Sequence, residues 1–173
     1  MYKRQLVNNA GYLGGEHRIV DFDTARFKAL WDVNVVGYFI AAREAARRMA
    51  KSRGGEGGSI VNTASMAALN GGMAGRIHYA TSKGANATFT IGLSKELGPE
   101  GIRVNGVLPG VVDTHFNDEF DNTGRNDRLG PMIPLGRVGV GDDVAEAIVW
   151  LLSDAARWVT GANLRVHGGF YGL

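Results

Sequence analysis

The stretch SIVNTAS, at residues 59–65, is a short apolar run that ends in small and hydroxyl-bearing residues. Its length suits a β-strand, and its apolar character is typical of a strand in a parallel sheet that is covered on both faces. The stretches LVNNAG (6–11) and IRVNGVLPG (102–110) have the same character, and each ends in a turn that contains glycine. These three stretches predict the centre of a buried parallel sheet.

Segments with helical character lie between and after these strands. The predicted helices cover residues 23–51, 78–98 and 142–153, and a last short strand lies near NLRV (163–166). Asp23 or Thr24 is the N-cap of the first helix, which bends at Gly37. Strands that alternate with helices predict one α/β domain with a Rossmann-type, doubly wound parallel sheet.

The composition argues against several classes of protein. The 173 residues include 19 basic and 17 acidic side chains, and this near balance does not suggest a nucleic-acid or membrane-surface partner. There is no cysteine, which excludes disulfides and thiolate metal sites and is compatible with a cytoplasmic location. The four histidines are scattered, and no apolar run approaches the roughly 18 residues of a membrane span. We therefore predict no metal site and no transmembrane segment.

The stretch HYATSK (78–83) places Tyr79 four residues before Lys83. Residues four apart share one face of a helix, so the phenol and the ammonium group can lie side by side. A free tyrosine has a pKa of about 10, and a nearby cation favours the phenolate and lowers that pKa. Taken alone, the pair is also typical of an ordinary solvated helix face.

Other polar residues are predicted to lie near this pair. Ser65 ends its strand at the edge where ligands bind in parallel α/β sheets, and Pro109 and Gly110 end the next strand at the same edge. Asn34 lies on the long helix, where a buried amide needs partners that could include an ordered water. These neighbouring residues favour a catalytic interpretation of Tyr79 and Lys83.

Several stretches of this sequence resemble the short-chain dehydrogenase/reductase family in their order and spacing. They are NNAG, WDVNVVG, the strand that ends in Ser65, YATSK, and IRVNGVLPG with VVDT after it. The resemblance implies an oxidoreductase that moves hydride between NAD or NADP and a carbonyl or alcohol substrate. It makes Tyr79 the general acid/base, and Lys83 the cation that lowers its pKa and bonds the nicotinamide ribose. Ser65 would orient the substrate carbonyl, and Asn34 would hold a water of the proton relay.

The resemblance also implies a set of cofactor-binding residues and a way of assembling. The cofactor residues would be Asn9, Ala10, Gly11, Tyr79, Lys83, Pro109, Gly110, Val112 and Thr114. Residues 111–136 are long for a connection and are predicted to form a substrate lid. The helices at 24–51 and 78–98 would form the face of a homodimer, or of a homotetramer, in the full-length protein.

The start of the chain departs from the family pattern. Family members open with a strand and a TGxxxGxG turn that binds the cofactor pyrophosphate, and no such turn precedes NNAG here. The first five residues, MYKRQ, match what a common sequencing-library transposon end encodes. We therefore expect residues 1–5 to be an adapter scar and 6–173 to be the C-terminal two-thirds of a family domain that lacks its first βα units. The alternative is a non-catalytic half-Rossmann interaction module.

Overall fold

The computed structural model describes residues 4–114, 116 and 124–171. Its strands are β1 (Gln5–Asn8), β2 (Gly58–Thr63), β3 (Ile102–Pro109), β4 (Val112–Asp113), β5 (Gly139–Val140) and β6 (Asn163–Val166). Its helices are α1 (Thr24–Trp31), α2 (Gly37–Met49), α3 (Ala67–Asn70), α4 (Ile77–Leu97), α5 (Arg125–Leu129) and α6 (Gly141–Leu152). Every predicted strand and helix is present.

The main sheet is parallel and has the order β1-β2-β3-β6, and β4 and β5 form a second, two-stranded sheet. In the main sheet Leu6 pairs with Ile60, which in turn pairs with Val104. Gln5, which belongs to the stretch expected to be an adapter scar, pairs with Ser59. The predicted α/β fold with a parallel sheet is confirmed.

Apolar side chains of the central strands pack against helices on both faces of the main sheet. On one face Ile60, Ile102 and Val104 form a buried cluster with residues at the ends of α2 and α4. On the other face Val61 and Val107 pack with Leu151 of α6. Successive side chains of a strand point to opposite faces, so an apolar run such as SIVNTAS is what a doubly covered sheet requires.

The long predicted helix is two α-helices joined by a wider turn. The Asp23 carboxylate accepts a hydrogen bond from the Ala25 amide, so Asp23 is the N-cap of α1. α2 begins at Gly37, where a boundary between two helical pieces was predicted, and the residues 32–36 before it form one turn of π-helix that includes the buried Asn34. A π-turn inserts an extra residue into the helical repeat and is frequent at functional sites.

Two negative findings apply to the described residues alone. None of their helices combines the length and the apolar character needed to cross a bilayer. They contain no group of three or more His, Cys, Asp or Glu side chains placed to hold a metal ion.

Candidate active site

The strands β2 and β3 run in the same direction, so their carboxyl ends lie at one edge of the sheet. Ser65 follows β2, and its hydroxyl oxygen accepts a hydrogen bond from the Ala67 amide at the start of α3. Gly110 follows β3 and donates its amide hydrogen to the Val166 carbonyl. The helix α4 begins nearby and carries the tyrosine and the lysine to the same edge.

Lys83 is almost fully buried, with 3% of its surface exposed. Its ammonium group donates to the carbonyl oxygen of Thr63 at 2.9 Å, which ties α4 to the end of β2. The same nitrogen lies 5.8 Å from the ring centroid of Tyr79 and 5.6 Å from that of Tyr38. Burial lowers the pKa of Lys83 to about 8, because the charged form loses solvation.

Tyr79 lies within hydrogen-bonding reach of Ser65. Burial raises the pKa of Tyr79 to about 12, and a hydrogen bond that the Ser65 hydroxyl donates to the phenolic oxygen lowers it in part. The lysine was expected to lower this pKa, but desolvation of the phenolate is the larger effect and the ammonium group is directed at Thr63. The ring of Phe116, from the predicted lid, lies 5.8 Å from the Tyr79 ring.

Asn34 is fully buried in the π-turn, and the oxygen and nitrogen of its side chain form hydrogen bonds with other protein groups. Its Oδ1 accepts from the Tyr12 amide at 3.0 Å, and its Nδ2 donates to the Tyr12 carbonyl at 3.0 Å and to the Ser82 hydroxyl at 3.1 Å. Its backbone carbonyl accepts from Asn86 at 2.8 Å. The residue therefore fixes the loop after β1, and its predicted role in holding a water stays a prediction.

The NNAG loop leads from β1 to this site. Asn9 and Ala10 are exposed, whereas Gly11 faces the side chains of Asn34 and Lys83. A β-carbon placed on Gly11 would lie 3.0 Å from the Asn34 Oδ1 and 3.3 Å from the Lys83 ammonium nitrogen. This close approach explains why a glycine stands here.

The remaining predicted cofactor residues follow β3. Pro109 ends that strand, and a β-carbon on Gly110 would lie 2.6 Å from the β-carbon of His167, so only glycine fits. Val112 pairs with Gly139 in the small sheet, and the Thr114 hydroxyl accepts from the Phe116 amide. The structure thus places these residues beyond the end of β3. Positions 115 and 117–123 of the predicted lid lie outside the described residues.

Comparison with known proteins shows the family to which the chain belongs. A family model described as enoyl-(acyl carrier protein) reductase matches residues 5–171. The chain belongs to the short-chain dehydrogenase/reductase family. A solved short-chain type dehydrogenase/reductase from Mycobacterium marinum superposes with a TM-score of 0.86 at 34% identity, over 96% of this chain and 64% of that one.

Two curated relatives are similar over nearly the whole chain. The uncharacterized oxidoreductase YgfF of Escherichia coli is 45% identical over 95% of this chain and 66% of its own length. The L-rhamnose 1-dehydrogenase (NAD(P)(+)) of Azotobacter vinelandii is 40% identical over 96% of this chain and 64% of its own length. The chain therefore spans slightly less than two thirds of these curated relatives.

Sequence reasoning missed a buried polar chain that supports the site in this short-chain dehydrogenase/reductase. Asn8 donates to Asn62, and Asn62 donates to the hydroxyl of Thr90. Thr90 donates to the carbonyl of Asn86, whose side chain donates to the carbonyl of Asn34. Asparagines inside apolar strand and helix patterns were the available signal, because buried amides need partners.

Tyr38 was also missed. It is 2% exposed, and its hydroxyl donates to the Thr63 carbonyl at 3.0 Å, so this carbonyl accepts from both Tyr38 and Lys83. Burial raises the pKa of Tyr38 well above its ordinary value, so the group stays a neutral donor. Its position four residues after Asn34 on the helix could have indicated that it faces the site.

Proposed function

We propose that this protein is an NAD(P)-dependent oxidoreductase that interconverts a carbonyl compound and the corresponding alcohol. The observation that carries the proposal is the partly buried Tyr79 phenol, which accepts a hydrogen bond from Ser65 and has the Lys83 ammonium group near its ring. A phenol, a hydroxyl and a cation at the carboxyl edge of a parallel sheet are suited to proton exchange with a substrate oxygen. No observation favours the alternative of a non-catalytic interaction module.

In the proposed mechanism each side chain has a distinct task. Tyr79 donates a proton to the substrate oxygen in reduction and accepts it in oxidation. Ser65 holds the same oxygen through its hydroxyl and stabilises negative charge that develops there. Lys83, whose pKa burial lowers to about 8, can exchange a proton near neutral pH. A bound nicotinamide would supply or accept the hydride.

The described residues fit part of a dinucleotide. Gly11 leaves free the space that a β-carbon would fill against Asn34 and Lys83, and the exposed Asn9 and Ala10 continue the same surface. We propose that these residues and Lys83 hold the cofactor, and that Gly110 with the residues after it faces the nicotinamide end. The printed name of the Azotobacter vinelandii relative includes NAD(P)(+), and we propose NAD or NADP here.

The test uses a chimera in which this chain replaces the matched part of the Azotobacter vinelandii L-rhamnose 1-dehydrogenase. NAD(P)H formation is measured with L-rhamnose and other aldoses, and NAD(P)H oxidation with small ketones and a 3-oxoacyl thioester. Tyr79→Phe should lower kcat by about 10²- to 10⁴-fold, the range for losing a general acid. Tyr171→Phe, at an exposed tyrosine, is the matched control and should retain full activity.

Two results would contradict the proposal. One is a folded chimera with no NAD(P)-linked turnover on any substrate of the panel. The other is turnover that Tyr79→Phe leaves unchanged, since the phenol would then have no part in the reaction.

We also propose that the full-length protein is a homodimer or homotetramer that works in the cytoplasm. Phe39 and Ile40 of α2 and Ile91 of α4 are roughly half exposed, although they are large and apolar. The ring of Phe39 lies 4.0 Å from that of Phe89, which makes one continuous apolar face across the two helices. Phe39→Asp should shift the assembly to monomer in light scattering, and an unchanged mass would refute this interface.

A further inference from the structure

Residues 11–17, which we call the strap, cross the amino end of the catalytic helix. At one end Gly11 approaches the ammonium nitrogen of Lys83, and the Tyr12 backbone is held at both its amide and its carbonyl by Asn34. At the other end the His17 amide donates to the Gly75 carbonyl at 2.9 Å. The strap therefore joins the predicted cofactor loop to the segment that precedes the catalytic tyrosine.

His78 holds the middle of the strap. It directly precedes Tyr79 in α4 and is 3% exposed, and its Nε2 lies 3.0 Å from the Leu13 carbonyl oxygen. A carbonyl only accepts hydrogen bonds, so Nε2 carries the proton and donates. The proposed mechanism uses neither this ring nor its proton.

The carbonyls of Tyr12 and Leu13 follow one another along the strap, and each accepts from a different helix. Asn34 reaches the first from the π-turn, and His78 reaches the second from α4. Gly11 precedes these two anchored residues, so its distance from Lys83 depends on both anchors. The Glu16–Arg76 ion pair is a third link, between the strap and the residue that precedes α4; its carboxylate is half exposed, whereas its guanidinium is mostly buried.

The groups packed around His78 come from three places. The rings of His17 and Phe22 lie 5.9 Å and 5.4 Å from the His78 ring. Arg26 of α1 contacts the ring of His17 from outside. Gly14 has a φ of +77°, and a β-carbon there would lie 2.7 Å from the Leu30 side chain and 3.6 Å from the His78 ring. The strap is thus fitted closely to this one imidazole.

We propose that His78 is a positioning residue, which sets the strap, and through Gly11 the surroundings of Lys83, by its hydrogen bond to Leu13. The proposal rests on the proposed function in that it concerns the same site. The ring holds the strap against α4, which keeps water away from the lysine ammonium group. Losing the bond should free the strap and hydrate that group.

The test compares His78→Leu with His78→Gln in the 173-residue chain. Glutamine keeps an amide donor near the position of Nε2, whereas leucine fills the site without a donor. Backbone hydrogen exchange of Tyr12 and His17, followed by NMR, should accelerate about tenfold in His78→Leu, because a buried carbonyl loses its donor. It should stay near the wild-type rate in His78→Gln. Glu16→Gln, which removes the charge but keeps an oxygen that can accept from Arg76, is the control and should change the rates little.

A second readout separates positioning from general loosening. The pKa of Lys83, followed through its labelled Cε resonance, should rise from about 8 by about one pH unit in His78→Leu. The exchange rate of the buried Val104 amide in β3 should not change, because that amide donates to the Thr160 hydroxyl and not to the strap. Equal effects of leucine and glutamine, or an unchanged Lys83, would overturn the proposal. None of these measurements needs turnover, so they stand apart from the Tyr79→Phe test.

Discussion

Replacing Lys83 by methionine should make the protein more stable and its site inactive. Methionine has nearly the same length and shape as the lysine stem but carries no charge. Lys83 is 3% exposed and donates to the Thr63 carbonyl. That carbonyl keeps a second donor in Tyr38, so the substitution does not leave a buried acceptor unsatisfied.

The expected gain follows from the lowered pKa. Burial lowers the pKa of Lys83 from 10.5 to about 8. At about 1.4 kcal/mol for each pH unit, holding the charge in the folded state costs about 3 kcal/mol. Losing a charged hydrogen bond costs about 1.5–3 kcal/mol. We therefore expect the free energy of unfolding of Lys83→Met to exceed that of the wild type by roughly 1 kcal/mol at pH 7.

The sign of the pH dependence is fixed by linkage. Between about pH 8 and 10.5 the unfolded chain binds more protons at Lys83 than the folded chain, so wild-type stability rises with pH in this window. The advantage of Lys83→Met should be complete below pH 8 and should shrink as pH rises toward 10.5. Lys95→Met, at an exposed lysine of the same helix, is the matched control.

Urea unfolding of the wild type and the two variants at pH 7, 8.5 and 10 measures these differences. The reasoning fails if the stability difference between Lys83→Met and the wild type is the same at all three pH values. It also fails if the chimera that carries Lys83→Met retains turnover, because we expect the substitution to raise stability and to abolish activity together.

Three further substitutions test other contacts. Gly11→Ala places a methyl group 3.3 Å from the Lys83 ammonium nitrogen, so we expect weaker NAD(P)H binding by fluorescence titration and a loss of about 1–3 kcal/mol in urea unfolding. Tyr38→Phe removes one of two donors to the Thr63 carbonyl, so calorimetry should show that the free energy of unfolding falls by only about 1 kcal/mol. A larger loss would mean that the hydrogen bond from Lys83 alone does not satisfy that carbonyl. Arg103→Met removes the guanidinium that donates to carbonyls at the end of α6, and should destabilise the chain by about 2 kcal/mol in urea; an unchanged midpoint would show that water replaces those bonds.

The elements of the fold could be predicted because their patterns are local. An apolar run of strand length, as in SIVNTAS, and a cap residue such as Asp23 act within a few residues, and both are where they were predicted. The π-turn at 32–36 could not be predicted, because its cause is tertiary. Asn34 is drawn inward by bonds to Tyr12 and Ser82, which lie 22 and 48 residues away along the chain.

The side chains of the site could be named from the sequence, but their electrostatics could not. Spacing on a helix predicts that Tyr79 and Lys83 share a face, and the ring centroid of one lies 5.8 Å from the nitrogen of the other. The spacing of residues along the sequence does not predict which acceptor the Lys83 ammonium group bonds. The Thr63 carbonyl comes from β2, and only the packed structure brings it within 2.9 Å of that nitrogen.

Burial favours the neutral form of both residues of the proposed catalytic pair. Burial raises the pKa of Tyr79 to about 12 and lowers that of Lys83 to about 8. At neutral pH the phenol is therefore protonated, and the Lys83 ammonium group is held at the Thr63 carbonyl. A protonated phenol can donate a proton but cannot accept one, so in the proposed mechanism it can act on a carbonyl without first losing its own proton. The proposed oxidation of an alcohol needs the phenolate, which a positive charge closer to the Tyr79 oxygen would stabilise.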